Sequence, residues 1–416
     1  MMDNFTRRDI LAAGAATSAA LLMPSGVFAQ GKEKMKIGLI GSGGRGTDAV
    51  MNAFAADPAI TLWAIGDVFP ERVTGSLNSL TERQKDRVDV GDRKFSGFDA
   101  YKHVIASGCD YVILTTPPAF RPTHFKAAIE ASKHVFMEKP VAVDAVGIRS
   151  VIESGELAKT KNLSVVTGTQ RRHELPYLEA MKRIHDGQIG DVVACYAYWN
   201  QGSLWMHPRE AAWTDMEWQL KNWLYFTWLS GDHIVEQHIH NLDVCNWAMN
   251  GHPVKAVSLG GRQVRTDPAY GHIFDHFATE YEYANGVKML SMCRQIDGTD
   301  SRVSEFVVGT KGTSNGCTSI KGENPWRWEG DSPNPYMLEH RDLIKSIRDG
   351  AGVNEAKRVA ESTMTAILGR MAAYSGKEVS WDAAIASQTS LVPEHLAMDM
   401  ALTVPPVAVP GKTQPV

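Results

Sequence analysis

Three sets of residues in this sequence are of the types and spacings that do chemistry. The first is Gly41-Ser42-Gly43-Gly44-Arg45-Gly46, directly after the apolar run Lys36-Ile37-Gly38-Leu39-Ile40. Gly41 permits a tight turn, Gly43 lets backbone approach a pyrophosphate, and Gly46 allows a helix to pack closely on the strand. Gly44 and Arg45 complete the turn, and the unpaired N–H groups of the helix start face the phosphates. The second set is Glu138-Lys139-Pro140, at the end of the apolar run His134-Val135-Phe136-Met137. Hydride transfer from a carbinol carbon requires the hydroxyl proton to leave. A cationic nicotinamide beside a lysine favours the neutral, proton-accepting amine. The third set lies in Gly231–Asp243, where Glu236, His240 and Asp243 fall on one face at helical spacing. His233 is near that face and His238 is turned away. His233, Glu236 and His240 could converge on a metal ion, or form only a polar network beneath a sheet. No His-Glu-x-x-His is present and hydride transfer to a nicotinamide needs no metal, so none is expected.

The elements around these residues set their positions. A second strand, Thr61–Gly66, ends at Asp67, 21 residues after Gly46. A carboxylate there accepts both ribose hydroxyls of NAD and repels a 2′-phosphate. NAD is therefore favoured, with Arg45 and Arg72 as the residues that would admit NADP. A third strand, Asp110–Leu114, runs into Thr115-Thr116-Pro117-Pro118, with a helix beginning near His124. Ligands of an open parallel sheet lie outside the carboxyl ends of its strands, so Thr116, Pro117 and His124 should line the nicotinamide half. Beyond Gly168-Thr169-Gln170-Arg171-Arg172 the pattern changes to long strands near 191–199, 254–259, 276–283, 287–294 and 304–308. The fold expected is α/β: a doubly wound parallel sheet, then an α+β domain with a mostly antiparallel open-faced sheet. The boundaries are 30–150 for the dinucleotide domain, 151–375 for the substrate and oligomerisation domain, and 376–416 for a C-terminal segment. Its proline-rich end, Val404–Val416, is expected to be an extended arm, either lying on another subunit or disordered.

These pieces together resemble the glucose-fructose oxidoreductase / inositol dehydrogenase family. The glycine turn, Asp67, the Thr-Thr-Pro-Pro segment with His124, Glu138-Lys139-Pro140 and the segment ending His240-Asn241-Leu242-Asp243 carry the resemblance, which spans most of the chain. It implies that Lys139 assists proton removal from the hydroxyl being oxidised and that its neighbours, Glu138 included, bind nicotinamide. It also implies that His240 bonds the substrate hydroxyl and shares its proton with Lys139. The family usually carries aspartate where Glu236 stands, which leaves open a direct substrate contact by Glu236. Seven of the eleven tryptophans fall between Trp199 and Trp247. Aromatic faces pack on sugar rings, and Arg171, Arg172, Asn200, Asn222 and Asp243 could bond hydroxyls, so the substrate expected is a carbohydrate or cyclitol.

Thr6-Arg7-Arg8-Asp9-Ile10-Leu11 precedes an alanine-rich apolar stretch broken by Pro24, and Val27-Phe28-Ala29 offers a cleavage site. This is the pattern of a twin-arginine export signal over 1–29, giving a periplasmic or extracellular protein. The apolar run is too short to span a bilayer. Twin-arginine export carries folded proteins, so the cofactor would be loaded inside the cell and stay tightly bound. The five cysteines lack a Cys-x-x-Cys pair, which argues against a disulfide scaffold or a structural zinc. A net charge of -4 gives no reason to expect a nucleic-acid or membrane partner; a homo-oligomer is expected. Two further functions compete with sugar oxidation: NAD-dependent glycoside hydrolysis through transient C3 oxidation and elimination, and sugar binding without turnover. The Tyr-containing Pro-Thr-His segment associated with the hydrolases is absent.

Overall fold

The computed structural model describes residues 33–415, and the proposed export signal lies outside them. From Met35 onward the chain is one compact unit. It begins with β1 (Met35–Ile40), α1 (Gly44–Ala56), β2 (Ile60–Asp67), α2 (Pro70–Gln84), β3 (Lys94–Ser96), α3 (Ala100–Ala106) and β4 (Tyr111–Leu114). α4 (Arg121–Glu130), β5 (His134–Met137), α5 (Ala145–Thr160) and β6 (Val165–Thr167) complete a six-stranded parallel sheet ordered β3-β2-β1-β4-β5-β6. β4 is buried at every residue and β1 at all but one, which is why the strands are near-continuous apolar runs. The order reverses between β1 and β4, and the glycine turn and Thr115-Thr116-Pro117 leave the sheet there side by side.

α6 (Leu175–His185) leads to β7 (Val192–Gln201), followed by α7 (Asp215–Lys221), α8 (Thr227–Ser230), α9 (His233–Glu236) and α10 (Ile239–Met249). β8 (Lys255–Gly261), β9 (His276–Glu282), β10 (Lys288–Gln295), β11 (Arg302–Gly309), β12 (Gly312–Ser314), β13 (Ser319–Gly322) and β14 (Trp326–Arg327) follow. The chain ends with α11 (Pro335–Asp349), α12 (Ala356–Ser375), β15 (Val379–Ser380) and α13 (Trp381–Ile385). The second sheet is ordered β14-β13-β12-β11-β7-β10-β9-β8-β15 and is antiparallel except where β7 meets β10. Strand alternation divides its side chains. Cys195, Ala197, Met289, Cys293 and Val307 face α10 and α12 and are buried, whereas Tyr196, Tyr198, Leu290, Met292 and Phe306 face outward.

One expectation is corrected, and the C-terminal segment is placed. Residues 233–243 are not one helix: α9 and α10 are separated by Gln237 and His238. His238 N–H bonds the His233 carbonyl five residues back, and His240 N–H bonds Gln237, so the Glu236 carbonyl is left out of the helical ladder. The C-terminal segment lies on its own chain. Gln219 donates to the Leu402 carbonyl (3.0 Å), Leu402 N–H donates to Asp215 (3.2 Å), and Val407 and Ala408 pack on the main core. Among the described residues no helix is long and apolar enough to cross a membrane.

Candidate active site

The glycine turn is built by contacts only glycine tolerates at two positions. Gly41 has φ +94°, and a Cβ there would meet Thr116 N at 2.5 Å. A Cβ on Gly46 would lie 2.0 Å from the Gly41 carbonyl oxygen. At Gly44, by contrast, a Cβ would meet nothing within 4 Å, so open space lies against the first turn of α1. That helix start has no side-chain cap bond and no acidic residue in its first turn, leaving its N–H groups and positive dipole end for an anion. Asp67, at the end of β2, accepts from Ser42 N–H (2.7 Å) and Phe69 N–H (3.0 Å). Burial lifts the Asp67 carboxyl above its ordinary range, against the pull of those N–H groups and of Arg72. The turn, Asp67, Phe69, Arg72, Thr116, Pro117 and His124 all line one cavity of about 860 Å³. A dinucleotide would fit this cradle, with Gly43 and Gly44 to take the phosphates, Asp67 the ribose hydroxyls, and Thr116 and His124 the nicotinamide half.

His124 is buried, with Tyr101 stacked on it at 4.3 Å and Thr116 Oγ1 3.3 Å from Nδ1. Burial first, and the Arg121 charge second, push it down to about 3, so it stands neutral in the cavity wall. Arg45 takes a different position from a 2′-phosphate reader. Its guanidinium pairs with Glu138 and lies 3.9 Å from Glu339 on α11. Arg72 is thus left as the cation beside the turn.

Lys139 leaves β5 with its side chain 11 % exposed. Its Nζ donates to the stranded Glu236 carbonyl at 2.5 Å and to Glu236 Oε1 at 3.1 Å. The helix break therefore supplies an acceptor for the lysine, a signal that the His/Glu spacing alone hides. His240 is buried on α10 and stacks on Trp199 at 5.7 Å, and its ring makes no hydrogen bond to a described side chain. Burial, then the charges of Lys139, Arg171 and Arg45, hold His240 well below the usual imidazole range. A neutral imidazole can accept or donate one proton to a hydroxyl. Lys139, Glu236 and His240 lie beyond the lining of the large cavity, Lys139 paired with Glu236 and close enough for its charge to act on His240.

The residues expected to bind sugar are divided by the structure. Arg171 stays near the cluster, its guanidinium paired with Glu305 and 5.9 Å from the centre of the Trp199 ring. Arg172 and Asp243 are spent on each other, at 2.8 and 2.9 Å, with Ser362 also donating to Asp243. Asn222 is fully buried and bonds the His207 backbone in both directions (2.8 and 2.9 Å). Asn200 pairs in register with Arg294 and Arg302 and faces away from Trp199 and His240. Two residues near the site, buried Arg121 and half-buried Trp199, had no role assigned from the sequence. Arg121 donates to the Leu114 carbonyl (2.9 Å) and the Pro140 carbonyl (3.4 Å), joining the two loops that flank the site. Trp199, which strand parity with Cys195 and Ala197 identifies as inward, supports His240. Among the described residues no group of three or more His, Cys, Asp or Glu is placed to hold a metal.

Residues 35–169 match the model of the oxidoreductase family with an NAD-binding Rossmann fold, and 177–315 match the GFO/IDH/MocA C-terminal domain. The inositol 2-dehydrogenase of Azotobacter vinelandii is 26% identical over 61% of this chain, which spans 65% of that protein's length. The aldose-aldose oxidoreductase of Caulobacter crescentus has a TM-score of 0.66 at 19% identity, covering 84% of this chain and 100% of the other. The scyllo-inositol dehydrogenase of Lactobacillus casei, solved with NAD(H) and scyllo-inositol, has a TM-score of 0.63 at 20% identity over 84% of this chain and 100% of the other. With both domains matched in order along the chain, it belongs to the GFO/IDH/MocA oxidoreductase family.

Proposed function

We propose that this protein oxidises a secondary hydroxyl of a sugar, glycoside or cyclitol. Bound NAD would supply the hydride acceptor; the chain's own residues do the rest. Lys139 takes the hydroxyl proton as the carbon–hydrogen bond gives up its electron pair, leaving a ketone. Glu236 holds the amine in place through its carbonyl and carboxylate, and His240 bonds the same hydroxyl from the other side. The observation that carries this reading is Lys139 Nζ bonded to the carbonyl released by the helix break, with the ring of His240 unbonded beside it. The relatives named for inositol dehydrogenation support a cyclitol or sugar substrate. The aldose-aldose oxidoreductase supports a reaction in which a second sugar returns the hydride in place. Such a cycle suits a tightly held cofactor in a protein exported by the twin-arginine route. We further propose a homo-oligomer formed through the outer sheet face, where Leu259, Met292 and Phe306 are exposed.

The test is the reduced-nicotinamide absorbance of protein with NAD, followed over inositols, free aldoses and glycosides. An absorbance rise and a ketone product are expected. Lys139→Met should bind NAD as before and lose roughly 10²- to 10⁴-fold in turnover. Release of an aglycone would favour glycoside hydrolysis instead. Unchanged turnover in Lys139→Met would overturn the role given to the lysine.

A further inference from the structure

The cavity does not end at Asp67. Its lining includes one wall from the first domain, Phe69, Arg72, Phe98 and Tyr101, and a second wall of Trp205, His207, Leu220 and Trp223. The second wall comes from the other domain, in the stretch between β7 and α8. We propose that Trp205 and Trp223, with His207, form the seat of the purine ring of the dinucleotide, so that the second domain covers the adenine end of the cofactor. The proposal rests on the dinucleotide reading above and adds the residues that would retain the cofactor.

Three observations place the seat. The aromatic rings are clustered: Trp205 lies 6.3 Å from Trp223 and 5.2 Å from His207, centre to centre. A flat π face is what a purine stacks on, and it asks for no particular hydrogen-bond pattern. The stretch is also held in shape before any ligand arrives. Asn222 clamps the His207 backbone from both sides, and the Tyr225 hydroxyl donates to the Trp205 carbonyl (2.8 Å), with the Leu204 carbonyl oxygen 3.2 Å away. The two walls, finally, are tied to each other at the ribose end. Lys221, between Leu220 and Asn222, reaches Glu71 on α2 at 3.5 Å and sits 5.0 Å from the centre of the Phe69 ring. Phe69 is the residue whose N–H holds Asp67. A ring bound against Trp205 and Trp223 therefore lies beside the group that reads the adenosine ribose, whereas His240 is backed by a different tryptophan, Trp199. The aromatic residues the sequence offered to a sugar are divided in this way between cofactor and substrate.

The test is calorimetric titration of the full nucleotide-stripped protein with ADP-ribose and, separately, with nicotinamide mononucleotide. In Trp205→Ala/Trp223→Ala, ADP-ribose affinity should fall roughly tenfold or more while the mononucleotide is unaffected. Trp205→Phe/Trp223→Phe, which keeps a π face at each position, should recover most of the loss. Trp205 is 42% exposed, so Trp205→Ala alone gives a folded variant in which a smaller loss of the same kind is expected. Unchanged ADP-ribose affinity in the alanine variants, or a loss confined to the KM of the sugar, overturns the purine seat and leaves the oxidoreductase reading intact. Wild-type protein that binds neither ADP-ribose nor NAD overturns both.

Discussion

Replacing Gly46 with alanine places a methyl group 2.0 Å from the Gly41 carbonyl oxygen and 2.7 Å from Thr115 Oγ1. The first is backbone, and Gly41 is itself fixed by its positive φ and by its contact with Thr116. No side chain can swing aside to relieve the clash. α1 must instead withdraw from β1 by at least about 1 Å to bring the contact out of the range below 3.0 Å that real Cβ atoms avoid. Overpacking of a rigid site costs about 1–3 kcal/mol, and a clash with backbone belongs at the upper end. The same shift carries the N–H groups of the helix start away from the phosphates they would bind, so ADP-ribose affinity should fall with stability. Gly44→Ala is the internal control, since nothing lies within 4 Å of its Cβ and its φ is not positive. Removing a glycine there should raise stability by about 0.4–1 kcal/mol through the unfolded chain. Urea unfolding of the two variants separates these outcomes. Gly46→Ala within about 0.5 kcal/mol of wild type would show that α1 and β1 are not packed as described.

Three other outcomes are expected. Arg172→Met leaves the buried Asp243 carboxylate with Ser362 as its one remaining side-chain hydrogen bond and only the Arg358 charge to balance it, and should cost roughly 3 kcal/mol in urea unfolding. Adding Asp243→Leu should recover most of it, and a double variant no better than the single would count against a buried charge as the cause. Asp67→Ala should raise the ratio of NADP to NAD affinity about tenfold or more, because the carboxylate that repels a 2′-phosphate is gone while Arg72 stays; an unchanged ratio would remove Asp67 from cofactor choice. Burial alone would lower His173, but its hydrogen bond to Asp342 and its ion pair with Glu355 outweigh that and raise it to about 10. Its contribution is therefore complete below its unfolded value near 6.5 and is lost as pH rises toward about 10. His173→Gln should flatten the fall of stability across that window, and an equally steep fall would assign it to other groups.

The cofactor half was legible because its chemistry is local. A strand, a glycine turn and a carboxylate at fixed spacing are set by backbone geometry, and β1 and β2 follow the reading to within one residue at each end, with α1 between them. The second half was less legible for two physical reasons. Side chains that donate and accept hydrogen bonds serve structure as readily as substrate, and nothing in Asn222, Arg172 or Asp243 says that each is taken up by a partner within the fold. The helical spacing of Glu236, His240 and Asp243 also conceals the interruption at Gln237, which appears only once Lys139 claims the Glu236 carbonyl. Asn200 could have been placed correctly: it lies one residue from inward-facing Trp199 and so must face outward. Arg121 and Glu339 gave no signal, since their partners are 7 and more than 200 residues away.

The return of α11 to the first domain bears on how the molecule is made. Leu343 and Ile344 belong to the same buried cluster as β1 and α1, and Glu339 reaches the arginine of the glycine turn. The dinucleotide cradle thus depends on chain synthesised some 300 residues later, a contact of very high sequence separation. Nascent chains halted after the first sheet would expose this apolar surface and have no Glu339 to face Arg45. From Met35 the chain is one compact unit, so grafting 35–169 onto another substrate domain would transfer the glycine motif without the α11 contacts that support it.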